Sequence, residues 1–130
     1  MRIKATLIAL ILLLPGCFSD DDEEISFNGR DLGGSDTYKF TLEDAEGPLW
    51  NLTDQEGKVV ILAFIFTRCD NTCPVTSQNI KSVKASLSDD ELDKTSFVSV
   101  TVDWRHDSPS VLRNYTADLG YDWPHLTGAK

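Results

Sequence analysis

Two cysteines with three residues between them, Cys69 and Cys73, are the side chains of this sequence best suited to chemistry. A thiolate is both a nucleophile and a soft metal ligand, and Cu(I) is the soft ion best suited to thiolates outside the cytoplasm. A closed zinc site needs four protein ligands, and the sequence supplies too few. The pair therefore leaves three activities open: Cu(I) binding, electron exchange as a dithiol and disulfide, and a structural disulfide.

The cysteines stand where a predicted buried strand is followed by a predicted helix. Residues 59–66 are apolar throughout, which is typical of a parallel strand covered on both faces. Pro74 fits the first turn of a helix that extends to about Leu87. The apolar side of this helix is predicted to carry Val75, Ile80, Val83 and Leu87. Because ligands in open α/β sheets gather at the carboxyl ends of the strands, this placement favours an active pair.

A helix N-terminus should also tune the cysteines. Its free N–H groups and partial positive charge favour thiolate over thiol, so we expect a lowered pKa for Cys69. The positive charge of Arg68 should add to this effect, and the negative charge of Asp70 should oppose it.

The other elements complete an α/β pattern of hairpin, strand, helix, strand and helix. Residues 38–42 and 48–52 predict the two strands of the hairpin, and residues 97–102 predict a second core strand. Residues 88–95 are predicted to be a polar connection between the first helix and that strand. The strand–helix–strand crossing predicts that the two core strands run parallel.

The second helix is predicted from its ends. Ser108 is the expected N-cap, with Pro109 at the first helical position. Gly120 stands where a helix commonly ends in the left-handed conformation. The apolar stripe of this helix is predicted to carry Val111, Leu112, Tyr115 and Leu119.

Composition sets broad limits on function. The chain has 130 residues, enough for one domain, and its hydrophobic content of 41% is ordinary for a globular protein. Its formal net charge of −9 argues against nucleic acid as a partner, because nucleic-acid binding needs clustered Lys and Arg.

The N-terminus predicts export and a lipid anchor. Residues 1–4 form a short basic region, and residues 5–14 form an apolar run that suits a signal peptide and is too short to span a bilayer. Gly16 directly precedes Cys17, as in a lipobox. We predict a signal peptide at residues 1–16 and lipidation of Cys17, with an uncleaved apolar anchor as the alternative.

The predicted organisation follows from this N-terminus. Residues 17–36 are predicted to be the lipidated cysteine and an acidic, glycine-containing linker, and residues 37–130 the globular domain. On either interpretation of the leader, the domain is expected outside the cytoplasm, anchored to the outer face of the cell membrane.

Four segments of the sequence match, in order, the motifs of one protein family. Residues 57–62 resemble that family's lead-in to its buried strand, and residues 67–74 resemble its Cys-x-x-x-Cys-Pro motif. Residues 102–109 are similar to its Asp-Pro-x-Arg-Asp-Thr-Pro segment, and residues 126–128 match a following Leu-Thr-Gly. Together these segments resemble the SCO/SenC family of copper chaperones for cytochrome c oxidase.

This resemblance implies a thioredoxin-like fold. It implies copper binding by Cys69, Cys73 and a distant His, with delivery to the binuclear copper centre of cytochrome c oxidase subunit II. Some members of the family look more like thiol reductants for that centre, so thiol–disulfide oxidoreductase activity on a partner's cysteines stays open.

The family pattern also extends past this sequence. The counterpart of the His ligand would lie beyond Lys130, so the resemblance implies a domain incomplete at its C-terminus. It further implies that a strand after the second helix pairs beside residues 59–66. Without that strand, residues 59–66 would form a long apolar edge.

Four more residues near these motifs have alternative interpretations. His106 is either a substitute third ligand or an exposed loop residue, and His125 is expected to be structural or on the surface. Asp103 either supports the cysteine loop or contacts a docking partner, or it is a turn residue. Trp104 is either a docking aromatic residue or a half-buried loop residue.

Overall fold

The computed structural model describes residues 29–31 and 33–128. The predicted signal peptide at residues 1–16 and the lipidation of Cys17 therefore lie outside the described residues. None of the helices in the described part of the chain is both long and apolar enough to cross a bilayer. The domain begins at Thr37.

Within residues 37–128 the domain consists of five strands, three α-helices and one short 3-10 helix. The strands are β1 (Thr41–Asp44), β2 (Leu49–Asn51), β3 (Val59–Ile65), β4 (Thr95–Thr101) and β5 (His125–Thr127). The helices are α1 (Thr72–Ser86), α2 (Asp89–Asp93) and α3 (Pro109–Leu119), and the 3-10 helix is Leu52–Gln55.

One mixed sheet with the strand order β2-β1-β5-β4-β3 organises the domain. Strands β3, β4 and β5 run parallel, and β1 pairs antiparallel with both β2 and β5. The predicted α/β architecture of hairpin followed by parallel strand, helix, strand and helix is confirmed. Strand β5, which follows α3, however, lies between β4 and β1 rather than beside β3, the strand that leads to the cysteines. In this position the fully buried Leu126 packs with Val98 and Trp50.

Strand β3 lies at the edge of the sheet in the part of the chain that the structure describes. It pairs with β4 along its whole length, from Val59 opposite Thr95 to Ile65 opposite Thr101. Val59 and Phe64 are 64% and 67% exposed, so the prediction of a strand covered on both faces is wrong. The apolar residues instead form the expected apolar edge.

The two faces of the sheet have separate cores. On one face, Ala63 of β3 and Phe97 of β4 pack with Ile80 of α1 and with Tyr121 and Trp123. On the other face, alternate residues of the strands pack with Trp50 of the hairpin.

Both long helices contact the same face, because α3 contributes Leu112 and α1 contributes Cys73 to one cluster with Ile65.

Helix α1 confirms two of its predicted core residues, Ile80 and Leu87, and contradicts the other two. Its buried residues are Cys73, Ser77 and Ile80, whereas the predicted core residues Val75 and Val83 are 61% and 43% exposed. Cys73, Ser77 and Ile80 have the i, i+4, i+7 spacing of one helical face. A small polar residue, Ser77, therefore takes a core position between Cys73 and Ile80.

The predicted polar connection at residues 88–95 contains helix α2. The backbone N–H of Ser88 donates a 2.8 Å hydrogen bond to Glu91 Oε2, as in a capping box. The Ser-x-x-Glu spacing of Ser88 and Glu91 in the sequence is the pattern that indicates such a helix start. At the second long helix the predicted ends are confirmed: Ser108 accepts from the Val111 N–H, Pro109 begins the helix, and Gly120 adopts φ 64°.

His125 on β5 is 1% exposed and lies among aromatic rings. Its ring stacks on that of Tyr121, with an interplanar angle of 3°. Its Nδ1 is 2.8 Å from the Trp123 carbonyl oxygen, which can only accept, so Nδ1 carries the proton. Nε2 then has no hydrogen-bond partner among the described residues. His125 is structural, as the sequence predicts.

We expect His125 to make the domain sensitive to mild acid. Burial lowers its pKa, and the Trp123 carbonyl and the charge of Asp44 only partly oppose this. The unfolded chain, in which His titrates near about 6.5, therefore binds the proton more readily than the folded chain. The contribution of the neutral His125 ring to folding stability is therefore complete above that pKa. It is lost as the pH falls below it, by at most ~1.4 kcal/mol per pH unit. Urea unfolding at pH 7.5 and pH 5.5 should show this loss, and His125→Phe should reduce it. Equal losses in both proteins would contradict the assignment.

Candidate metal-binding and redox site

The cysteines meet where β3 ends and α1 begins. Cys69 lies in the connecting loop, and Cys73 is the second residue of α1. The backbone N–H of Cys73 donates to Cys69 Sγ at 3.2 Å. Both thiols are free, and both side chains lie at the carboxyl end of the parallel strands. The structure thus brings together the two predicted site residues.

The two thiols differ in their surroundings. Cys73 is 6% exposed and packs against Ile65 and Leu112 in the core beneath the loop. Cys69 is partly exposed and borders the same cluster, together with Phe66. The site therefore has one sulfur accessible from solvent and a second one behind it.

This difference separates the acidities of the two thiols. The pKa of Cys69 is lowered, first by a hydrogen bond from the Cys73 thiol and then by the backbone N–H groups of Cys73, Asn71 and Thr72, while burial opposes the shift. Burial raises the pKa of Cys73, and its hydrogen bond to Cys69 adds to the increase. Cys69 is thus suited to be the attacking thiolate or the first metal ligand, as expected for a sulfur at a helix N-terminus.

Arg68 is held by a carboxylate of the neighbouring loop. Its Nη2 donates to Asp103 Oδ2 at 2.5 Å, and this ion pair raises the pKa of Arg68 and lowers that of Asp103. The pair joins the cysteine loop to the loop after β4, which favours the supporting role for Asp103. Because the Arg68 side chain is 62% exposed, the pair contributes little to stability.

A second carboxylate, that of Asp107, also holds the cysteine loop. Asp107 is fully buried and accepts hydrogen bonds from the backbone and the hydroxyl of Thr67 and from the hydroxyl of Thr101. The sequence places Asp107 in a family-like segment without indicating this contact. The signal available was an acidic residue directly before the N-cap Ser108.

No group of three or more His, Cys, Asp or Glu side chains suited to a metal ion occurs within residues 29–31 and 33–128. His106 is exposed, and its backbone N–H donates to the Asp103 carbonyl. The structure therefore favours the exposed-loop interpretation of His106. Trp104 is 41% exposed and lies under the Arg105 guanidinium, 4.8 Å from the ring centre.

These features define a thioredoxin-like α/β domain with a Cys-x-x-x-Cys pair at the carboxyl edge of its parallel strands. The SCO1/SenC family model matches residues 31–130. The chain belongs to the SCO1/SenC family.

Relatives agree in sequence and in fold. The SCO1 protein homolog of Bacillus subtilis is 30% identical over 92 residues, which are 68% of this chain and 47% of that protein. The structure of yeast Sco1 with copper bound superposes with a TM-score of 0.59 at 26% identity, over 71% of this chain and 51% of that one.

A third relative is BsSco, described as having a disulfide switch and as a member of the Sco family of cytochrome c oxidase assembly proteins. It superposes with a TM-score of 0.65 at 25% identity, over 78% of this chain and 60% of that one. The chain spans about half the length of the curated relatives it matches.

Proposed function

We propose that this chain binds Cu(I) through Cys69 and Cys73 and acts as a copper chaperone in the assembly of a cytochrome c oxidase copper centre. The observation that carries the proposal is the hydrogen-bonded pair of free thiols, one partly exposed with a lowered pKa and one buried behind it. Two thiolates are soft ligands that favour Cu(I). An accessible first sulfur would allow the ion to be passed to a partner.

The relatives support both parts of this proposal. Yeast Sco1 has been solved with copper bound, and BsSco is named as a member of a family of cytochrome c oxidase assembly proteins. We infer that the partner is subunit II of the oxidase or a similar copper-accepting protein. The net charge of −9 would also attract a metal cation weakly at low salt.

Titration of the reduced protein with Cu(I) tests the proposal. A chromogenic Cu(I) chelator of known affinity is the competitor, and the expected result is removal of one equivalent of copper from it. The same titration after alkylation of both thiols is the control, and it should leave the chelator fully loaded. Failure of the reduced protein to compete with a weak chelator would exclude the chaperone function.

The alternative function is thiol–disulfide exchange with a partner's cysteines. It is favoured by the unequal pair, because a partly exposed thiolate such as Cys69 can attack and a buried thiol such as Cys73 can resolve the mixed disulfide. The disulfide switch of BsSco is consistent with this chemistry. A reduction potential below about −300 mV would indicate an inert structural bridge instead.

We also propose that residues 1–16 are a signal peptide, that Cys17 carries the lipid, and that residues 17–36 tether the domain to the outer face of the membrane. The basic and apolar leader and the Gly16–Cys17 junction support this proposal. Metabolic labelling with a fatty acid should mark the protein and not its Cys17→Ser variant. Equal labelling of the two proteins would rule out this anchor.

A further inference from the structure

We propose that Asp107 is a positioning residue for the cysteine pair: its buried carboxylate anchors the loop that carries Cys69 and thereby sets the relation between the two sulfurs. This inference rests on the copper-binding function proposed above. It assigns the placement of Cys69 to a residue 38 positions further along the chain, between β4 and α3.

The carboxylate of Asp107 is a fixed point between two strand ends. Its Oδ2 accepts from the Thr67 backbone N–H at 3.0 Å and from the Thr101 hydroxyl at 2.5 Å, and its Oδ1 accepts from the Thr67 hydroxyl at 2.5 Å. Thr101 is the last residue of β4, and Thr67 follows β3 by two residues. Asp107 is 0% exposed, so these bonds are shielded from water.

The same carboxylate forms no ion pair with a cation among the described residues. Burying an unpaired charge is unfavourable unless hydrogen bonds compensate for it. The three donors supply that compensation, and two of them belong to Thr67. The buried charge is therefore tied chiefly to the cysteine loop.

Cys69 depends on this anchor more than Cys73 does. Cys73 is held by helix α1 and by packing against Ile65 and Leu112. Cys69 follows Thr67 by two residues, and its backbone N–H donates to the Phe66 carbonyl at 3.2 Å. A further link runs from this loop to the loop after β4 through the Arg68–Asp103 pair, which is weak because the Arg68 side chain is 62% exposed. Movement of Thr67 would thus displace the accessible sulfur and leave the buried one in place.

Two substitutions separate the position of this side chain from its charge. Asp107→Ala leaves the three donors without an acceptor. Asp107→Asn removes the charge, yet the amide oxygen can still accept from the Thr67 N–H and the Thr101 hydroxyl while the amide NH₂ donates to the Thr67 hydroxyl. If Asp107 positions the loop, Asp107→Asn should keep the Cu(I) affinity and the disulfide equilibrium that Asp107→Ala weakens.

The experiment measures two quantities in each variant: the Cu(I) dissociation constant by chelator competition, and the equilibrium constant for forming the Cys69–Cys73 disulfide in a glutathione buffer. The second quantity reports how well the sulfurs are placed and needs no copper. For Asp107→Ala we expect both to weaken at least tenfold, which for the disulfide is about 30 mV. For Asp107→Asn we expect values within threefold of the parent.

Ile80→Ala is the control for a general loss of stability, because Ile80 is a core residue seven positions from Cys73 on the same helix. It should leave both constants within threefold of the parent. The proposal is overturned if folded Asp107→Ala keeps both constants, or if Ile80→Ala changes them as much. If Asp107→Ala does not fold, Thr67→Val decides, since it removes one of the three bonds. A change of at least twofold in both constants is then expected, and unchanged constants reject the proposal.

The two proposals can fail separately. A parent protein that binds no Cu(I) refutes the copper function, and the disulfide equilibrium still decides the role of Asp107. A parent that binds Cu(I) with an Asp107→Ala variant that binds equally well refutes the positioning role alone.

Discussion

Replacing Cys69 by serine is expected to weaken Cu(I) binding by about 10²- to 10⁴-fold. The expectation follows from the geometry of the pair, in which the second sulfur binds an ion already held by the first, and such linkage raises affinity by about that factor. A serine hydroxyl keeps the size of the side chain but is a poor ligand for a soft ion. Chelator competition with the reduced variant measures the loss.

Two further variants sharpen this test. Cys73→Ser should cause a loss of similar size, because the pair needs both sulfurs. Cys17→Ser removes the remaining cysteine of the sequence and should leave the affinity unchanged. If Cys69→Ser binds Cu(I) as tightly as the parent, the pair is not the copper site.

The strand, the helix and the cysteine pair between them were predictable because their signals are local. Strand β3, which is rich in β-branched residues, ends at Ile65, and Pro74 lies in the first turn of α1. The lowered pKa of Cys69 follows from the same local arrangement, first from the hydrogen bond of the Cys73 side chain and then from the backbone N–H groups of residues 71–73. Residues close in sequence thus determine most of the chemistry of the site.

The position of each element in the sheet was not predictable in this way. An apolar strand has the same sequence pattern at the centre and at the edge of a sheet. The sequence of β3 therefore did not indicate that Val59 and Phe64 are exposed at an edge. Strand β5 has three residues, and its place between β4 and β1 depends on pairing with distant segments. A strand of three residues is too short for its side-chain pattern to indicate which strands it pairs with.

The orientation of α1 shows a second limit. The helix has valines at positions 75 and 83, and a count of apolar residues places them in the core. The observed core face instead contains Ser77, which is 0% exposed. Cys73 lies on the same face, one helical turn before Ser77, so the buried face follows Cys73, Ser77 and Ile80 rather than the two valines.

Asp107 illustrates why long-range polar contacts escape sequence analysis. Its partner Thr67 is 40 residues away, and neither residue has a pattern that names the other. A charge at this position predicts an exposed loop on average, whereas the side chain is fully buried. Only the close approach of the ends of β3 and β4 explains how three donors reach one carboxylate.

Truncation of a side chain in the core beneath the site should cause a large loss of folding stability. Leu112 is 0% exposed and packs against Ile65 and Cys73, so it links α3 to the strand and helix that carry the pair. Truncation to alanine removes buried contacts and leaves a cavity, which costs about 2–5 kcal/mol. A domain of this kind has only about 5–15 kcal/mol of stability in total. We therefore expect a large fall in the urea midpoint for Leu112→Ala.

Leu119 provides the matched comparison, because it lies on the same helix and was assigned to the same apolar stripe, yet it is 40% exposed. Leu119→Ala should change the free energy of unfolding by only about 0.5 kcal/mol, the range expected of surface substitutions. The identical chemical change on one helix thus separates burial from helix propensity. Similar losses for the two variants would show that Leu112 does not occupy the core beneath Cys73.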